Sequence, residues 1–139
     1  MKVINAENQV MGRLAAKVAK LALEGETVRV VNSEKAIITG RKEQIFQKYH
    51  QRRIRGEPHH GPKFPRKADR LMKRAIRGMI GYKSAKGREA FKKIKTYIGI
   101  PEEFKSEKME SFQKANMTKL KTIKYITVGE LSKWLGSKW

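Results

Sequence analysis

The first 31 residues alternate between strand and helix patterns, and this rhythm constrains the fold more than any other feature. Residues 2–6 (KVINA) are short and β-prone. Over residues 11–23 apolar side chains recur at helical spacing, and one face carries Leu14, Val18, Leu21 and Ala22. Residues 27–31 (TVRVV) are mostly β-branched, which indicates a buried strand. Strand, helix and strand at this spacing predict a parallel α/β sheet.

The remaining patterns continue this alternation. Gly25 is placed to end the first helix, and residues 36–39 form a second β-prone run. A helix is predicted over residues 41–53, with Ile45, Phe46 and Tyr49 facing inward. A clear amphipathic helix follows over residues 68–80, and its apolar arc holds Leu71, Met72, Ala75, Ile76 and Met79.

The C-terminal third is less regular. A helical stretch around residues 89–93 precedes a strand over 94–98, and residues 99–121 are expected to be an irregular surface excursion. Residues 122–126 alternate and predict an edge strand. Thr127 and Glu130 form a capping-box pattern that starts a last helix, whose inward side chains are Leu131, Trp134 and Leu135. We interpret residues 1–139 as a single domain, because this length suits one core.

Positive charge is concentrated in the middle of the chain. Residues 41–95 hold 19 Lys/Arg and four acids, so they supply +15 of a total net charge of +20. Such an excess repels itself in a folded chain, and its simplest explanation is a polyanionic partner. An ordinary solvated face would intersperse acids, yet only Glu57 and Asp69 interrupt residues 52–77.

This basic segment combines a loop with a helix. Residues 55–67 contain three of the four prolines and predict an extended loop. Cations in and before the loop are Arg52, Arg53, Arg55, Lys63, Arg66 and Lys67, with His59 and His60 between them. The following helix presents a cationic stripe made of Arg70, Lys73, Arg74 and Arg77. Basic groups on several elements favour a folded RNA over one DNA groove, and no helix-turn-helix, zinc-finger or basic-zipper layout is present.

Other chemistries have weaker support. The chain has no cysteine, and the spacing of His50, His59 and His60 fits no standard metal site, so no metal or cofactor is expected. Gly12 alone is not a dinucleotide fingerprint, and we interpret it as permitting a tight turn into the first helix. Ser33-Glu34 is interpreted as a turn after a strand.

One arginine and two tryptophans outside the basic segment also carry expectations. Arg13 at a helix start is unfavourable for the helix dipole, which suggests a phosphate contact. Trp134 and Trp139 are expected to pack, although Trp139 also suits stacking on a base.

No apolar segment suits a signal peptide or a membrane span, so we expect a cytoplasmic protein with no membrane partner and no small-molecule substrate.

Three ordered motifs resemble a known family. Residues 11–40 (MGRLAAKVAKLALEGETVRVVNSEKAIITG), residues 70–90 (RLMKRAIRGMIGYKSAKGREA) and residues 95–101 (KTYIGIP) are similar to the universal large-subunit ribosomal protein 13 family, archaeal and eukaryotic branch. The likeness covers residues 1–101 well and the C-terminus loosely. One departure is Ile80-Gly81 where many members have Leu-Pro, which predicts a looser helix end.

The resemblance implies a fold, a role and a set of contacts. The fold is α/β, with three α/β/α layers around a mainly parallel four-stranded sheet. The role is structural: binding and helping to assemble large-subunit ribosomal RNA beside neighbouring ribosomal proteins, with no catalysis. Carried over by position, the RNA contacts are Arg41, Lys42, Arg52, Arg53, Arg55, His59, His60, Lys63, Arg66, Lys67, Arg70, Lys73, Arg74, Arg77, Lys83, Lys86 and Arg88. Two alternatives remain, a stand-alone nucleic-acid-binding regulator and, last, a nucleic-acid-processing enzyme.

Overall fold

Strands and helices alternate along the chain in the computed structural model, which describes residues 1–57, 59–61 and 63–139. They are, in order, β1 (Lys2–Asn5), α1 (Met11–Leu23), β2 (Val28–Val31), β3 (Ile37–Thr39), α2 (Lys42–Ile54), α3 (Ala68–Met79), α4 (Ala85–Lys92), β4 (Ile94–Thr96), β5 (Met109–Glu110), β6 (Tyr125–Thr127) and α5 (Val128–Trp134). Short 3-10 turns lie at Ser33–Lys35, Glu102–Phe104, Gln113–Ala115 and Met117–Lys119.

β1 and β2 form the centre of a four-stranded sheet with the order β4-β2-β1-β5, in which every pairing is parallel. The register sets Ile4 beside Val30 and Val28 beside Ile94. Residues in register point to the same side of a sheet, so these four side chains share one face. All four are fully buried, and this face is one wall of the main core.

α1 packs into the same core as predicted. Leu14, Val18 and Ala22 are buried along one side of the helix. The helix ends where expected: Gly25 adopts a φ of +103°, and its N–H donates to the Ala22 carbonyl at 3.1 Å. Glycine suits this position because a left-handed residue carries no Cβ penalty there.

The other face of the sheet has a smaller cover. Val3 and Val31 pack there against Phe104, with Tyr97 and Met109 at the margin. The Tyr97 and Phe104 rings lie 5.5 Å apart between centroids. With this second cover in place, the predicted three-layer α/β class with a mainly parallel four-stranded sheet is confirmed.

Two strand assignments differ from expectation. The segment 99–121, expected to be irregular, contributes β5, which pairs with β1 at the sheet edge. β5 has two residues, too few to show an alternating pattern. β3 and β6 lie outside the main sheet and form an antiparallel pair, with Ile38 opposite Ile126. Local sequence predicts that a strand forms but does not name its partner.

The end of α3 and the start of α4 also differ from the prediction. Met79 is 47% exposed, whereas Ile80 next to it is buried, because α3 ends at Met79 and Gly81 at φ +62° turns the chain. The prediction of an inward Met79 is therefore wrong, whereas the looser helix end stays a prediction. α4 begins at Ala85, earlier than predicted, because the Ser84 hydroxyl accepts the Gly87 N–H and caps it.

α5 begins at the predicted residue, but one of its side chains packs differently from the prediction. The Thr127 hydroxyl accepts the Glu130 N–H at 3.1 Å, which confirms the predicted N-cap. Leu131 and Leu135 are buried, but Trp134 is 46% exposed, so the prediction of an inward Trp134 is wrong. Trp134 instead stacks on Phe46 of α2, with 4.5 Å between ring centroids.

The loop before α3 and the length of the helices remain to be compared with the prediction. The predicted loop over residues 55–67 includes Pro58 and Pro62, which lie outside the described residues, and the rest of the loop forms no helix or strand. Among the helices described, none combines the length and the apolar character needed to cross a membrane.

Candidate nucleic-acid interface

α3 separates its apolar and cationic sides as its sequence predicts. Leu71, Met72 and Ile76 are buried in the main core. Arg70 and Arg74 on the other side are exposed, and Lys73 and Arg77 are half-buried. Burial of the apolar side therefore fixes the direction of the cationic stripe.

Aromatic rings support three of the stripe's cations. The Arg74 guanidinium lies 4.6 Å from the Phe64 ring centroid, and that of Arg77 lies 4.7 Å from the Tyr82 ring. The ammonium of Lys73 lies 5.1 Å from the Phe91 ring. Such contacts hold a flexible cation in place, so less side-chain entropy is lost when it binds an anion.

Arg52 extends the cationic surface from α2. Its guanidinium lies 5.5 Å from the ring of Tyr49, which packs edge-on against Phe64. Burial raises the pKa of the Tyr49 phenol, and the positive charge of Arg52 opposes that rise. Phe64 thus joins the loop, α2 and α3 at one point.

The charges on this surface are not neutralised by nearby acids. Across residues 1–57, 59–61 and 63–139, no salt bridge involves Arg52, Arg70, Arg74 or Arg77. Partial burial lowers the pKa of Arg74, and the positive charges of Arg77 and Arg52 lower it further. Like charges held this close are unfavourable alone, and an anion placed between them relieves the repulsion.

Two depressions follow this surface. A groove beside the stripe is lined by Pro65, Arg70, Lys73, Arg74, Arg77 and Phe91. A second cleft lies between the loop and the C-terminus, lined by Lys63, Phe64, Pro65, Arg66, Lys67, Arg70, Gly136, Ser137 and Lys138. Arg70 lines both depressions, so the two are adjacent and their cations form one continuous surface.

The end of the loop is held against α5. The Ser132 hydroxyl donates to the Arg66 carbonyl at 2.6 Å, and the Trp139 indole N–H donates to the same hydroxyl at 3.0 Å. Trp139 therefore has a packing role, which is one of the two roles predicted for it. Because the backbone at Arg66 is fixed, Lys63, Arg66 and Lys67 are presented from an anchored segment.

The other predicted contact residues between positions 55 and 88 are also exposed. Arg55, His59 and His60 lie on the described part of the loop, and Nδ1 of His60 is 2.6 Å from a Glu57 carboxylate oxygen. Lys83 lies in the turn after α3, and Lys86 and Arg88 lie on the first turns of α4. Their contacts with RNA stay predictions.

Four predicted contact residues lie away from the stripe or are engaged elsewhere. Arg41 and Lys42 start α2, and Lys42 pairs with Glu130. Arg53 donates to the Leu135 carbonyl at 2.9 Å, a bond that joins α2 to the end of α5. Arg13 is exposed and donates to the Lys114 carbonyl at 3.4 Å. Lys42, Arg53 and Arg13 thus each have a structural contact that the sequence did not indicate, whereas Arg41 is exposed at the start of α2.

The aromatic rings that support the stripe, and Lys138 in the second cleft, were not predicted from the sequence. Phe64 carried a signal, since it is the one large apolar residue of a loop that is otherwise prolines, glycines and polar groups. Tyr82 and Phe91 fall outside α3, so helical periodicity alone does not connect them with it. Lys138 reaches the cleft only because α5 folds back onto the loop.

Three other features singled out in the sequence, the histidines, Ser33-Glu34 and Gly12, were compared with the part of the chain that the structure describes. Within the described residues, no three His, Cys, Asp or Glu side chains gather as metal ligands. Ser33-Glu34 forms the predicted turn, where a Glu34 carboxylate oxygen accepts the Gly99 N–H at 3.0 Å. The turn into α1 is made by Asn8 at φ +57°, so the role predicted for Gly12 is wrong.

An α/β fold that presents ring-supported cations on one face has the electrostatic character typical of the class of polyanion-binding proteins. Comparison with known families makes this particular: the model of the family described as Ribosomal protein L13 matches residues 1–103, and the chain belongs to that family. Archaeal relatives support the archaeal branch of this family. The protein named large ribosomal subunit protein uL13 in Methanococcus maripaludis is 53% identical, that of Methanococcoides burtonii 46% and that of Methanocaldococcus jannaschii 45%, each over 99% of both chains.

Proposed function

We propose that the protein is a structural constituent of the large ribosomal subunit, where it binds ribosomal RNA and helps that RNA to assemble. Its site of action is the ribosome in the cytoplasm, with neighbouring large-subunit proteins as further partners, and the role includes no catalysis. Membership of the Ribosomal protein L13 family supports the ribosomal setting. The observation that carries RNA binding is the aromatic-supported stripe without acidic partners in the described chain.

The stripe suits RNA phosphates for a physical reason. Arg74 and Arg77 present planar guanidinium groups, which bind phosphate oxygens in pairs. Each phosphate neutralised releases counterions, so the affinity falls as salt rises, with roughly 0.7 to 0.9 units of slope per contact in a double-logarithmic plot.

The first test removes the stripe. Replacing Arg70, Lys73, Arg74 and Arg77 with Gln should lower the slope of affinity against KCl concentration by about three. Folding should persist, because the apolar side of α3 is unchanged. The measurement is filter binding to deproteinised large-subunit RNA from the same source, with circular dichroism as the check on folding.

A matched variant removes the same charge elsewhere. Lys20, Lys35 and Lys105 each pair with an acid, and Lys108 is exposed between acids. Their replacement by Gln should leave the slope nearly unchanged. Equal losses in both variants would mean that net charge alone drives binding, which would contradict the stripe as the contact.

The ribosomal setting has its own test. Native protein should sediment with the large subunit at low salt and leave it only at high salt. A free pool without RNA at low salt would contradict the proposal and favour a stand-alone regulator.

A further inference from the structure

A second basic surface lies in the C-terminal third, outside residues 1–103 that match the family model. Residues 111–129 hold four lysines and no acid. We call these four, Lys114, Lys119, Lys121 and Lys124, the lysine strip. All four are exposed, and no salt bridge within the described chain reaches them. An ordinary solvated face would intersperse acids among them.

Backbone hydrogen bonds hold the lysine strip against the body of the protein. The Val10 N–H donates to the Ala115 carbonyl at 2.8 Å, and the Met117 N–H donates to the Asn8 carbonyl at 2.8 Å. Farther along, the Gly40 N–H donates to the Lys124 carbonyl at 2.9 Å. The strip is therefore an anchored surface, and its lysines project from fixed positions.

One end of the strip meets the start of α2 in a cleft. The cleft is lined by Gly40, Arg41, Lys42, Glu43, Ile123, Lys124 and Tyr125. Arg41 is exposed there, and Tyr125 exposes 41% of its surface. Ile123 is 93% exposed, which is uncommon for a large apolar side chain. Besides Glu43 and the paired Lys42, the cleft therefore combines the cations of Arg41 and Lys124 with an uncovered aromatic ring and an uncovered apolar side chain.

This combination matches a particular partner. Surfaces that bind single-stranded nucleic acid join cations for the backbone with an aromatic ring on which a base stacks. A paired helix offers no free base face, so a ring such as Tyr125 gains little from it. Charge complementarity and the open ring together select unpaired RNA.

The lysine strip is separate from the stripe on α3. Arg41 and Arg52 lie at opposite ends of α2, about 17 Å apart at 1.5 Å per residue. Resting on the proposed function, we propose that the lysine strip, with Arg41 and Tyr125, is a second RNA-binding surface that holds an unpaired segment of ribosomal RNA. The protein then joins two RNA elements across the length of α2.

The first experiment removes charge from the strip. Replacing Lys119, Lys121 and Lys124 with Gln should lower the salt slope of binding to deproteinised large-subunit RNA by about two, at roughly 0.7 per contact with a single strand. Its control replaces Lys20, Lys35 and Lys105, which pair with acids, and should leave the slope unchanged. An unchanged slope in the strip variant would overturn the proposal, whereas failure of the unaltered protein to bind would overturn the proposed function itself.

The second experiment tests the ring. Tyr125→Leu should weaken binding on the order of tenfold, since one base loses its stacking partner. Tyr125→Phe keeps the ring and should restore binding, while circular dichroism confirms that both variants fold. Full affinity in Tyr125→Leu would refute the stacked base, and equal weakening in Tyr125→Phe would point to the hydroxyl instead of the ring.

Discussion

Gly87 packs against the turn that joins α3 to α4, and its replacement by alanine should destabilise the protein. A Cβ at this position would lie 2.3 Å from the Gly81 carbonyl oxygen and 2.9 Å from that of Ile80. Both neighbours are backbone atoms, so no side chain can rotate away. Gly87 is buried inside α4, where its conformation suits any residue. The requirement is therefore one of space.

The size of the effect follows from two opposing terms. Ordinary contacts begin at 3.4 Å, so the turn or the helix must move by about 1 Å. Overpacking of this kind costs about 1–3 kcal/mol, and backbone contact places Gly87→Ala towards the upper end. Alanine gains about 1 kcal/mol in helix propensity. The net loss should be about 2 kcal/mol in the free energy of unfolding, measured by urea denaturation with far-ultraviolet circular dichroism.

Gly78 in α3 provides the matched control. A Cβ there meets nothing within 4 Å, and the residue is exposed. Gly78→Ala should therefore raise the free energy of unfolding, by at most about 1 kcal/mol. If Gly87→Ala proves as stable as the unaltered protein, the close approach of α4 to the Gly81 turn is not a constraint, and the reasoning is refuted.

Three further changes test the cap, the ring support and the core. Thr127→Ala removes the hydroxyl that accepts the Glu130 N–H and should cost about 1 kcal/mol in urea unfolding; no change would show that the cap is dispensable. Phe64→Leu should weaken RNA binding several-fold at fixed salt, because Arg74 loses its ring; unchanged affinity would contradict the role of stacking. Leu14→Ala should cost about 2–5 kcal/mol in the same unfolding assay, and a loss below 1 kcal/mol would mean that the core closes around the cavity.

Much of the candidate site could be predicted because α3 has a strong period. Apart from Met79, the apolar residues of the helix (Leu71, Met72, Ala75 and Ile76) lie on one side and its four cations on the other, and the core can accept only the apolar side. The supports of those cations could not be predicted in the same way. Phe64 and Phe91 come from a loop and from another helix, and their contact with α3 depends on how these elements pack.

Exposed aromatic residues show the same limit. Hydrophobic character predicts that Trp134 is buried, yet it stacks on Phe46 at the surface. Tyr125 likewise belongs to a strand pattern, and only its position beside the start of α2 makes it part of a cleft. Periodicity gives the side of an element on which a residue lies but not what covers that side.

The sequence by itself determined the elements whose cause is local. α1 has the predicted bounds, Gly25 ends it, and Thr127 starts α5, because periodic burial, a left-handed glycine and a capping hydroxyl act within a few residues. The charge excess of residues 41–95 indicated a polyanionic partner, because a count of charged residues does not depend on how the chain folds. Tertiary structure alone decided that β5 completes the sheet and that β3 pairs with β6. It also placed Phe64 beneath Arg74 and brought Lys124 beside Arg41. These contacts join residues far apart in the chain, and their partners are selected by the packing of the whole core.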